Sequence, residues 1–226
     1  MSETFFDAWN IYKKVVLNNY MYHKEITQLL MAEAKNFSSL SILDIGCGDS
    51  HTVTNAVNSS QLNNYVGIDS SEAALKNAKK NLLSYTGNIS LINGDMIHEI
   101  KKLSKLHDLV VAGYSLHHLN TSTKRKVISN AFNILTNNGL FIFYDVMTKT
   151  GESEHEYNER ACHIFRKEWT ELTLTEINGV ISHVMQSDHP ESEDIYREIF
   201  LSTGFKNINL YFRDKDDLFS FFIAKK

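Results

Sequence analysis

The sequence has little of several residue types that mark particular classes of protein. Its 226 residues include one proline, Pro190, and two cysteines, Cys47 and Cys162. Two cysteines without a recognisable framework favour a reduced, cytoplasmic setting over a disulfide-stabilised scaffold. No stretch approaches the roughly 20 consecutive apolar residues of a membrane span. The first residues hold no basic start leading into an apolar run, so neither a membrane protein nor a secretory signal is predicted.

Concentrated positive charge is also missing. The net charge is −4, and the longest basic run is Lys124-Arg-Lys126. Proteins that bind a nucleic-acid backbone usually cluster positive charge to displace counterions. The run is therefore interpreted as a solvated helix face, and nucleic-acid binding is not predicted. The apolar fraction of 42% and the chain length suit one globular domain with at most a small appendage.

Short apolar strands alternate with amphipathic helices through the middle of the chain. Strands are predicted over residues 41–45, 65–68, 89–92, 109–112 and 140–146. Helices are predicted over residues 72–83 and 122–135, the second ended by Asn138-Gly139. This alternation favours an α/β fold around a parallel sheet.

The segments outside this core predict helices and a hairpin. Residues 4–35 are predicted as one helix, because a stripe of apolar and aromatic residues recurs at spacings of three and four: Phe5, Trp9, Tyr12, Val16, Tyr20 and His23. We expect a single domain over residues 1–226 with four parts: an N-terminal helical cap (1–38), a cofactor-binding core (40–146), a helical insertion or lid (147–190), and a final helix and hairpin (191–226).

A glycine loop and an acidic residue together predict an adenosine site. Asp44-Ile-Gly-Cys-Gly48 follows the first strand directly, and Asp69 ends the second strand 21 residues after Gly48. Glycine lets the chain turn sharply and lets a ligand approach the backbone. A carboxylate at this spacing can accept hydrogen bonds from both hydroxyls of a ribose.

The loop chemistry argues against a dinucleotide. The position where a dinucleotide site needs a third glycine is His51. Asp44 and Asp49 would repel a pyrophosphate, whereas an ammonium or a sulfonium tolerates nearby acids. NAD is therefore disfavoured as the cofactor.

Residues 40–146 resemble the class I, Rossmann-like methyltransferases that depend on S-adenosylmethionine. Residues 44–48 are similar to the first motif of that family, Gly67-Ile-Asp-Ser70 to its ribose-binding acid, and Gly94-Asp-Met96 to its adenine-binding segment. Residues 108–119 resemble the fourth-strand motif that leads into the catalytic pocket. The resemblance implies a three-layer fold with a seven-stranded, mostly parallel sheet and an antiparallel C-terminal hairpin.

The same resemblance implies S-adenosyl-L-methionine as the cofactor and S-adenosyl-L-homocysteine as the product. The loop would pass beside the methionine portion, Asp69 would hold the ribose, Asp95 would accept from the adenine amine and Met96 would pack on the ring. Cys47 is interpreted as a small spacer. The cofactor-binding residues implied are Asp44, Gly46, Cys47, Gly48, Asp69, Ser70, Asp95, Met96, Ala112 and Gly113.

Candidates for contact with the methyl acceptor follow the fourth and fifth strands. Methyl transfer from a sulfonium depends mainly on alignment and desolvation, and a base is needed only for a protonated acceptor. The catalytic candidates are Tyr114, His117 and Asp145, although His117 and His118 could instead pack in the core and cap a turn. The acceptor-binding candidates are Tyr22, His155 and Arg166, with a surface role as the alternative.

The acceptor class is narrowed by what the sequence does not contain. With a single proline there is no Asn-Pro-Pro-Tyr type motif, and no second cysteine lies near the fourth strand. A small-molecule acceptor is therefore favoured, with a protein or RNA side chain, or a catalytically silent cofactor binder, as alternatives. His155, His163, His183 and His189 fit no compact ligand motif, so no metal is expected. The acceptor atom and the oligomeric state stay open.

Overall fold

The computed structural model describes the backbone of residues 3–226 and the side chains from Trp9 onward. Met1 and Ser2 of the predicted cap lie outside these residues. The strands are β1 (Leu40–Ile45), β2 (Leu62–Asp69), β3 (Asn88–Asn93), β4 (His107–Gly113), β5 (Leu135–Thr148), β6 (Glu191–Ser192), β7 (Asn207–Arg213) and β8 (Phe219–Lys225). The α-helices are α1 (Glu3–Leu17), α2 (His23–Ala34), α3 (His51–Ala56), α4 (Glu72–Asn81), α5 (Met96–Glu99), α6 (Thr121–Asn133), α7 (Glu154–Glu168), α8 (Leu174–Ser187) and α9 (Glu193–Thr203).

Seven strands form one sheet in the order β3-β2-β1-β4-β5-β8-β7, and the two-residue β6 pairs with the end of β5. The strands from β3 to β5 run parallel, whereas β8 is antiparallel to both β5 and β7. This confirms the predicted Rossmann-like sheet with its antiparallel hairpin. Because parallel strands end at the same edge, the ends of β1, β2 and β4 meet there.

Both faces of the sheet are covered. Leu43, Val110 and Phe143 point into a cluster with α6 and α9, while their neighbours Ile42, Val111 and Tyr144 point into a cluster with α2 and α3. Continuous apolar runs are what a strand buried on two faces requires. None of the helices within residues 3–226 has both the length and the apolar character needed to cross a bilayer.

A third apolar cluster joins α1 to α7 and α8 beside the end of β5. The Tyr20 and Trp169 rings stack with centroids 5.2 Å apart, and Lys14 Nζ lies 2.8 Å from Glu176 Oε1. Val15 of α1 and Val184 of α8 are both buried in this cluster. The N-terminal helix and the inserted helices therefore form one cover over the carboxyl edge of the sheet.

The prediction of one helix over residues 4–35 is wrong. Helix α1 ends at Leu17 and α2 begins at His23, and between them Asn19 and Tyr22 adopt φ angles of 55° and 56°. A left-handed residue cannot continue a right-handed helix. Asn19 stabilises the new start: its Oδ1 accepts from Lys24 N at 2.9 Å.

The predicted end of the helix over 122–135 is also wrong. Helix α6 ends at Asn133, and Leu135 already pairs with His107 of β4. The Asn138-Gly139 pair therefore lies within the irregular start of β5, where the β4–β5 register shifts. Helix α6 therefore ends where the pairing of β5 with β4 begins, and not at Asn138-Gly139.

The interpretation of Lys124-Arg-Lys126 as a solvated face fails for Lys124, whose side chain is fully buried. Its Nζ donates to the carbonyl oxygens of Leu119 at 2.6 Å and His189 at 2.5 Å, and Glu191 Oε1 lies 3.9 Å away. A buried ammonium requires such partners. Lys124 thus ties the segment after β4 to the segment after α8.

Candidate cofactor and acceptor site

The loop after β1 is fixed by its contact with the loop after β4. Gly46 has a φ of +68°, and a Cβ built on it would lie 2.4 Å from Ser115 Cβ. Ser115 Oγ donates to Ile45 O at 2.9 Å. A side chain at position 46 would therefore combine a left-handed backbone with a direct clash, which explains the glycine.

Asp69 joins the end of β2 to the same loop. Its Oδ2 accepts from Gly48 N at 2.8 Å, and its Oδ1 accepts from Ser71 N at 2.8 Å. A carboxylate offers about four lone-pair sites, so acceptor capacity remains for a diol. The glycine loop after β1 and the end of β2, which the sequence predicts to converge, thus lie in direct contact.

Two cavities meet at Gly46 and Asp69. The inner cavity, of about 250 Å³, is lined by residues from the glycine loop, α1, α2 and the ends of β4 and β5: Trp9, Tyr12, His23, Asp44, Gly46, Cys47, Gly48, Asp49, Ser50, His51, Thr52, Asp69, Gly113, Tyr114 and Tyr144. The outer cavity, of about 620 Å³, includes Asp69, Ser70, Asp95 and Met96 in its lining. Together they form an elongated cleft suited to a nucleoside with an amino-acid tail.

The inner cavity is acidic. Asp44 is buried and accepts from Tyr65 Oη at 2.8 Å; burial, with the nearby charges of Asp69 and Asp49, raises its pKa to about 7. Asp49 accepts from Tyr12 Oη at 3.2 Å. Carboxylates in this position favour a cationic ammonium or sulfonium over a phosphate. The residues present therefore fit S-adenosylmethionine.

The remaining cofactor candidates differ in how closely they approach this cleft. Asp95 Oδ1 accepts from Ile97 N at 2.8 Å and His98 N at 3.1 Å, which places its carboxylate at the start of α5 on the rim. The Ala112 side chain is fully buried in the sheet and lines neither cavity. Burial raises the pKa of the Cys47 thiol, which disfavours the nucleophilic thiolate.

A third, apolar cavity of about 460 Å³ adjoins the inner one. Its walls come from α1, α7, α8 and the ends of β5 and β8, with apolar side chains from Ile11, Val15, Met21, Val146, Tyr157, Phe165, Trp169, Val180, Val184 and Phe219. Tyr12, His23 and Tyr114 line both the inner and the apolar cavity. These three side chains form the wall between them.

Tyr114 is held rigidly in this wall. It adopts a φ of 47°, its hydroxyl donates to Met21 O, and its ring lies 5.5 Å from that of His23. Burial raises the pKa of Tyr114 far above its usual range. His23 is buried as well, and burial lowers its pKa to about 4. Both side chains are therefore uncharged near neutral pH.

His117 and Asp145 form a buried pair at the polar end of the apolar cavity. Asp145 Oδ2 accepts from His117 N at 3.0 Å, and its Oδ1 lies 2.5 Å from His117 Nδ1. Burial alone would lower the pKa of His117, but the Asp145 carboxylate outweighs it and the pKa is raised. The proton on Nδ1 is thereby fixed, and Nε2 lies 3.6 Å from Asp188 Oδ1.

The structure does not bring the three acceptor-binding candidates to this cavity. Tyr22 packs against Phe212 and Phe219, with ring centroids 5.2 and 5.9 Å away. His155 and Arg166 are exposed on α7 and belong to none of the three linings. The lining instead includes His23, which the sequence placed in the N-terminal helical cap, and Asp188, which the sequence did not single out. The position of His23 in the aromatic stripe of the predicted N-terminal helix indicated that its side chain is buried. No pattern in the sequence around Asp188 predicted a site there.

A parallel sheet with a glycine loop, an acid at the end of β2 and an acidic nucleoside cleft defines a Rossmann-like enzyme that binds a cationic adenosine cofactor. The family model described as "Methyltransferase domain" matches residues 36–204. The chain belongs to this family and is an S-adenosylmethionine-dependent methyltransferase, which confirms the expectation drawn from the motifs.

Known proteins resemble this chain over nearly its whole length. A curated carboxy-S-adenosyl-L-methionine synthase from Nautilia profundicola is 24% identical over 91% of this chain and 86% of its own length. A second, from Campylobacter fetus, is 23% identical over 96% and 91%. The solved magnesium protoporphyrin IX methyltransferase from Synechocystis, with bound S-adenosylhomocysteine, superposes with a TM-score of 0.65 at 18% identity, covering 99% of this chain and 94% of that one.

Proposed function

We propose that the protein transfers the methyl group of S-adenosylmethionine to a small, largely apolar molecule that carries one polar group. The observation that supports this most directly is the apolar cavity of about 460 Å³. Only the wall of Tyr12, His23 and Tyr114 separates it from the inner cavity. Its volume falls in the range that small-molecule sites occupy.

The chemistry of the cavity favours a neutral acceptor over an acidic one. Among the described residues that line it, there is no lysine or arginine to pair with a carboxylate or a phosphate. The cavity also lies beneath the cover formed by α1, α7 and α8, which favours a small molecule over a protein or RNA side chain. Both properties weigh against the macromolecular acceptors that the sequence left open.

In this proposal Asp69 holds the ribose, Asp95 and Met96 hold the adenine, and residues 46–48 with Asp44 hold the methionine portion. When bound, the cofactor supplies a methyl group on a sulfonium for in-line displacement. Apolar walls exclude water and align the acceptor, and these effects account for most of the expected rate enhancement. Tyr114 positions the wall by anchoring Met21 O.

The polar group of the acceptor is proposed to lie at the polar end of the cavity. There His117 presents Nε2, because Asp145 engages Nδ1 at 2.5 Å. His117 is therefore the proposed catalytic residue, and Asp145 is a positioning residue that acts through it. Tyr114, whose raised pKa keeps its hydroxyl protonated, is retained as a positioning residue rather than a base.

The test uses cofactor labelled on the methyl group and a metabolite extract freed of protein and nucleic acid. We expect a labelled small molecule by mass spectrometry, together with S-adenosylhomocysteine. Label confined to a macromolecular fraction, or a carboxylated cofactor such as the relatives' names describe, would refute the proposal. Binding of S-adenosylhomocysteine without any labelled product would indicate a silent binder.

A cavity-filling variant tests the acceptor site itself. Gly179 lines the apolar cavity, and a Cβ built on it meets no atom within 4 Å. Gly179→Phe should abolish labelling while leaving the affinity for S-adenosylhomocysteine unchanged. Met185→Phe, on an exposed position of the same helix, is the matched control and should retain labelling.

A further inference from the structure

We propose that His117, His118 and Asp188 form a site for a divalent transition-metal ion of the zinc type at the polar end of the apolar cavity. This rests on the proposed function and refines it: the ion, held by His117 Nε2, would bind the polar group of the acceptor in place of a direct contact between that nitrogen and the acceptor. The acceptor class would then be a molecule with a metal-binding oxygen, sulfur or nitrogen.

The three side chains present one ligand atom each within the span of a single ion. His117 Nε2 lies 3.6 Å and His118 Nδ1 lies 3.5 Å from Asp188 Oδ1, and all three atoms lie within 4.8 Å of one another. Ligands about 2.1 Å from a tetrahedral zinc lie roughly 3.4 Å apart. Two of the separations already match that value closely.

Asp188 is the observation that points to a cation. The residue is 5% exposed, and its Oδ1 has no hydrogen-bond partner in the part of the chain that the structure describes. A buried carboxylate oxygen without a partner is costly. Three histidine nitrogens face it, the third being His183 Nε2 at 4.0 Å. A bound ion would satisfy all of them at once.

The ligand-bearing segments are held in place before any ion binds. Asp145 engages His117 Nδ1 at 2.5 Å, and Nε2 is the nitrogen that faces Asp188; a carboxylate behind a histidine is the usual support of a metal ligand. His189 N donates to His117 O at 2.6 Å, and Lys124 Nζ donates to His189 O at 2.5 Å. The backbone beside Asp188 is thus tied to the backbone of His117.

The candidate site lies next to the two cavities. His118 and His183 line both the apolar and the outer cavity, and their side chains are 40% and 60% exposed, so both can adjust. His118 Nδ1 also lies 3.4 Å from Ser187 O, a long contact that metal binding would replace. Either His183 or the acceptor can complete the coordination shell.

The donor set selects the kind of ion. Two imidazoles and one carboxylate suit Zn²⁺, Fe²⁺, Co²⁺ or Ni²⁺, whereas Mg²⁺ and Ca²⁺ prefer oxygen ligands.

Histidine spacing could not predict the site, because His117 and His118 come from the short 3₁₀ helix after β4 (Leu116–His118) and Asp188 follows α8. Lys124 and Asp145 support the site without being ligands.

Calorimetry on the full chain, stripped with a chelator and titrated with Zn²⁺, tests the site without an acceptor. We expect one ion per chain, a loss of affinity of at least about tenfold in Asp188→Asn and in His118→Gln, and visible absorption of a low-coordinate Co²⁺ complex in the wild type but in neither of these two variants. His163→Gln, exposed on α7, is the matched control. The His118 side chain is 40% exposed, so its variant should fold even if Asp188→Asn does not.

Zinc binding that is equal in the wild type and His118→Gln, or no binding by the wild type, would overturn the metal site. Binding of S-adenosylhomocysteine, measured on the same samples, should be unchanged in His163→Gln, because His163 lines none of the three cavities. A protein that binds zinc but labels no small molecule would refute the proposed function and leave the metal site standing. Full labelling by a protein that binds no zinc would refute the metal site and leave the proposed function standing.

Discussion

The backbone N–H of Gly48 donates a hydrogen bond of 2.8 Å to Asp69 Oδ2. One carboxylate therefore fixes the glycine loop and, in the proposed cofactor complex, also receives the ribose hydroxyls. The loop after β1 and the end of β2 behave as a single unit, since the loop cannot shift without breaking this bond. Cofactor affinity should therefore depend on the Asp69 carboxylate through two contacts, the hydrogen bond from Gly48 N and the hydrogen bonds from the ribose.

Replacing Asp69 with alanine should weaken binding of S-adenosylhomocysteine by on the order of 1–3 kcal/mol, about 5- to 150-fold, because hydroxyls and a backbone donor lose their acceptor. Isothermal calorimetry measures the change. An affinity equal to that of the wild type would show that Asp69 does not hold the ribose.

Asp214 offers a matched control for this variant. Its Oδ1 accepts from Leu218 N and Phe219 N, both at 2.7 Å, so Asp214→Ala also removes a carboxylate from backbone donors. Asp214 lines none of the three cavities. The control should lose thermal stability and keep its affinity for S-adenosylhomocysteine.

The two glycines of the loop should respond differently to alanine. Both have positive φ angles, +68° at Gly46 and +54° at Gly48, but only a Cβ at Gly46 meets Ser115, at 2.4 Å. Each alanine should cost about 1 kcal/mol from the left-handed backbone. Gly46→Ala should cost at least about 1 kcal/mol more through the clash. Denaturant unfolding of the ligand-free protein compares them; equal losses would contradict the contact.

Asp44→Asn should stabilise the protein in a pH-dependent manner. The pKa of Asp44 is raised from 3.8 to about 7 by burial, so between these values the folded protein keeps a proton that the unfolded chain has lost. Stability from this group is full below pH 3.8 and is lost as the pH rises to 7.

The asparagine removes this loss and can still accept from Tyr65. The gain in the free energy of unfolding should be on the order of 1–3 kcal/mol at pH 8 and smaller at pH 5. Denaturant unfolding at the two pH values measures it. A gain of the same size at both would show that Asp44 is already ionised in the folded protein at pH 5.

The sheet and the cofactor loop could be predicted because their determinants are local. Asp69 stands at a fixed spacing from Gly48, and the strands that carry them are continuous apolar runs. In a parallel sheet, strand ends lie at one edge whatever the detailed packing. Such features depend on a few neighbouring residues and can be predicted without knowledge of the tertiary structure.

The acceptor side could not be predicted in the same way. Asp188 reaches His117 because α8 packs in the same apolar cluster as the end of β5. Lys124 is buried where it bonds the carbonyl of His189. The break between α1 and α2 depends on a left-handed Tyr22, a residue type that rarely adopts that backbone. Long-range packing determines the position of Asp188, the burial of Lys124 and the break between α1 and α2. The periodicity of the sequence carries no information about such packing.

The place of β8 in the sheet has a consequence for the order of folding. This strand, residues 219–225, inserts between β5 and β7. Until those residues emerge from the ribosome, β5 presents an edge with unpaired amides, and Phe143 lacks the Phe222 ring that stacks on it at 5.0 Å. An unpaired edge of this kind invites aggregation. Nascent chains that lack residues 219–225 should therefore depend on chaperones far more than chains that contain them.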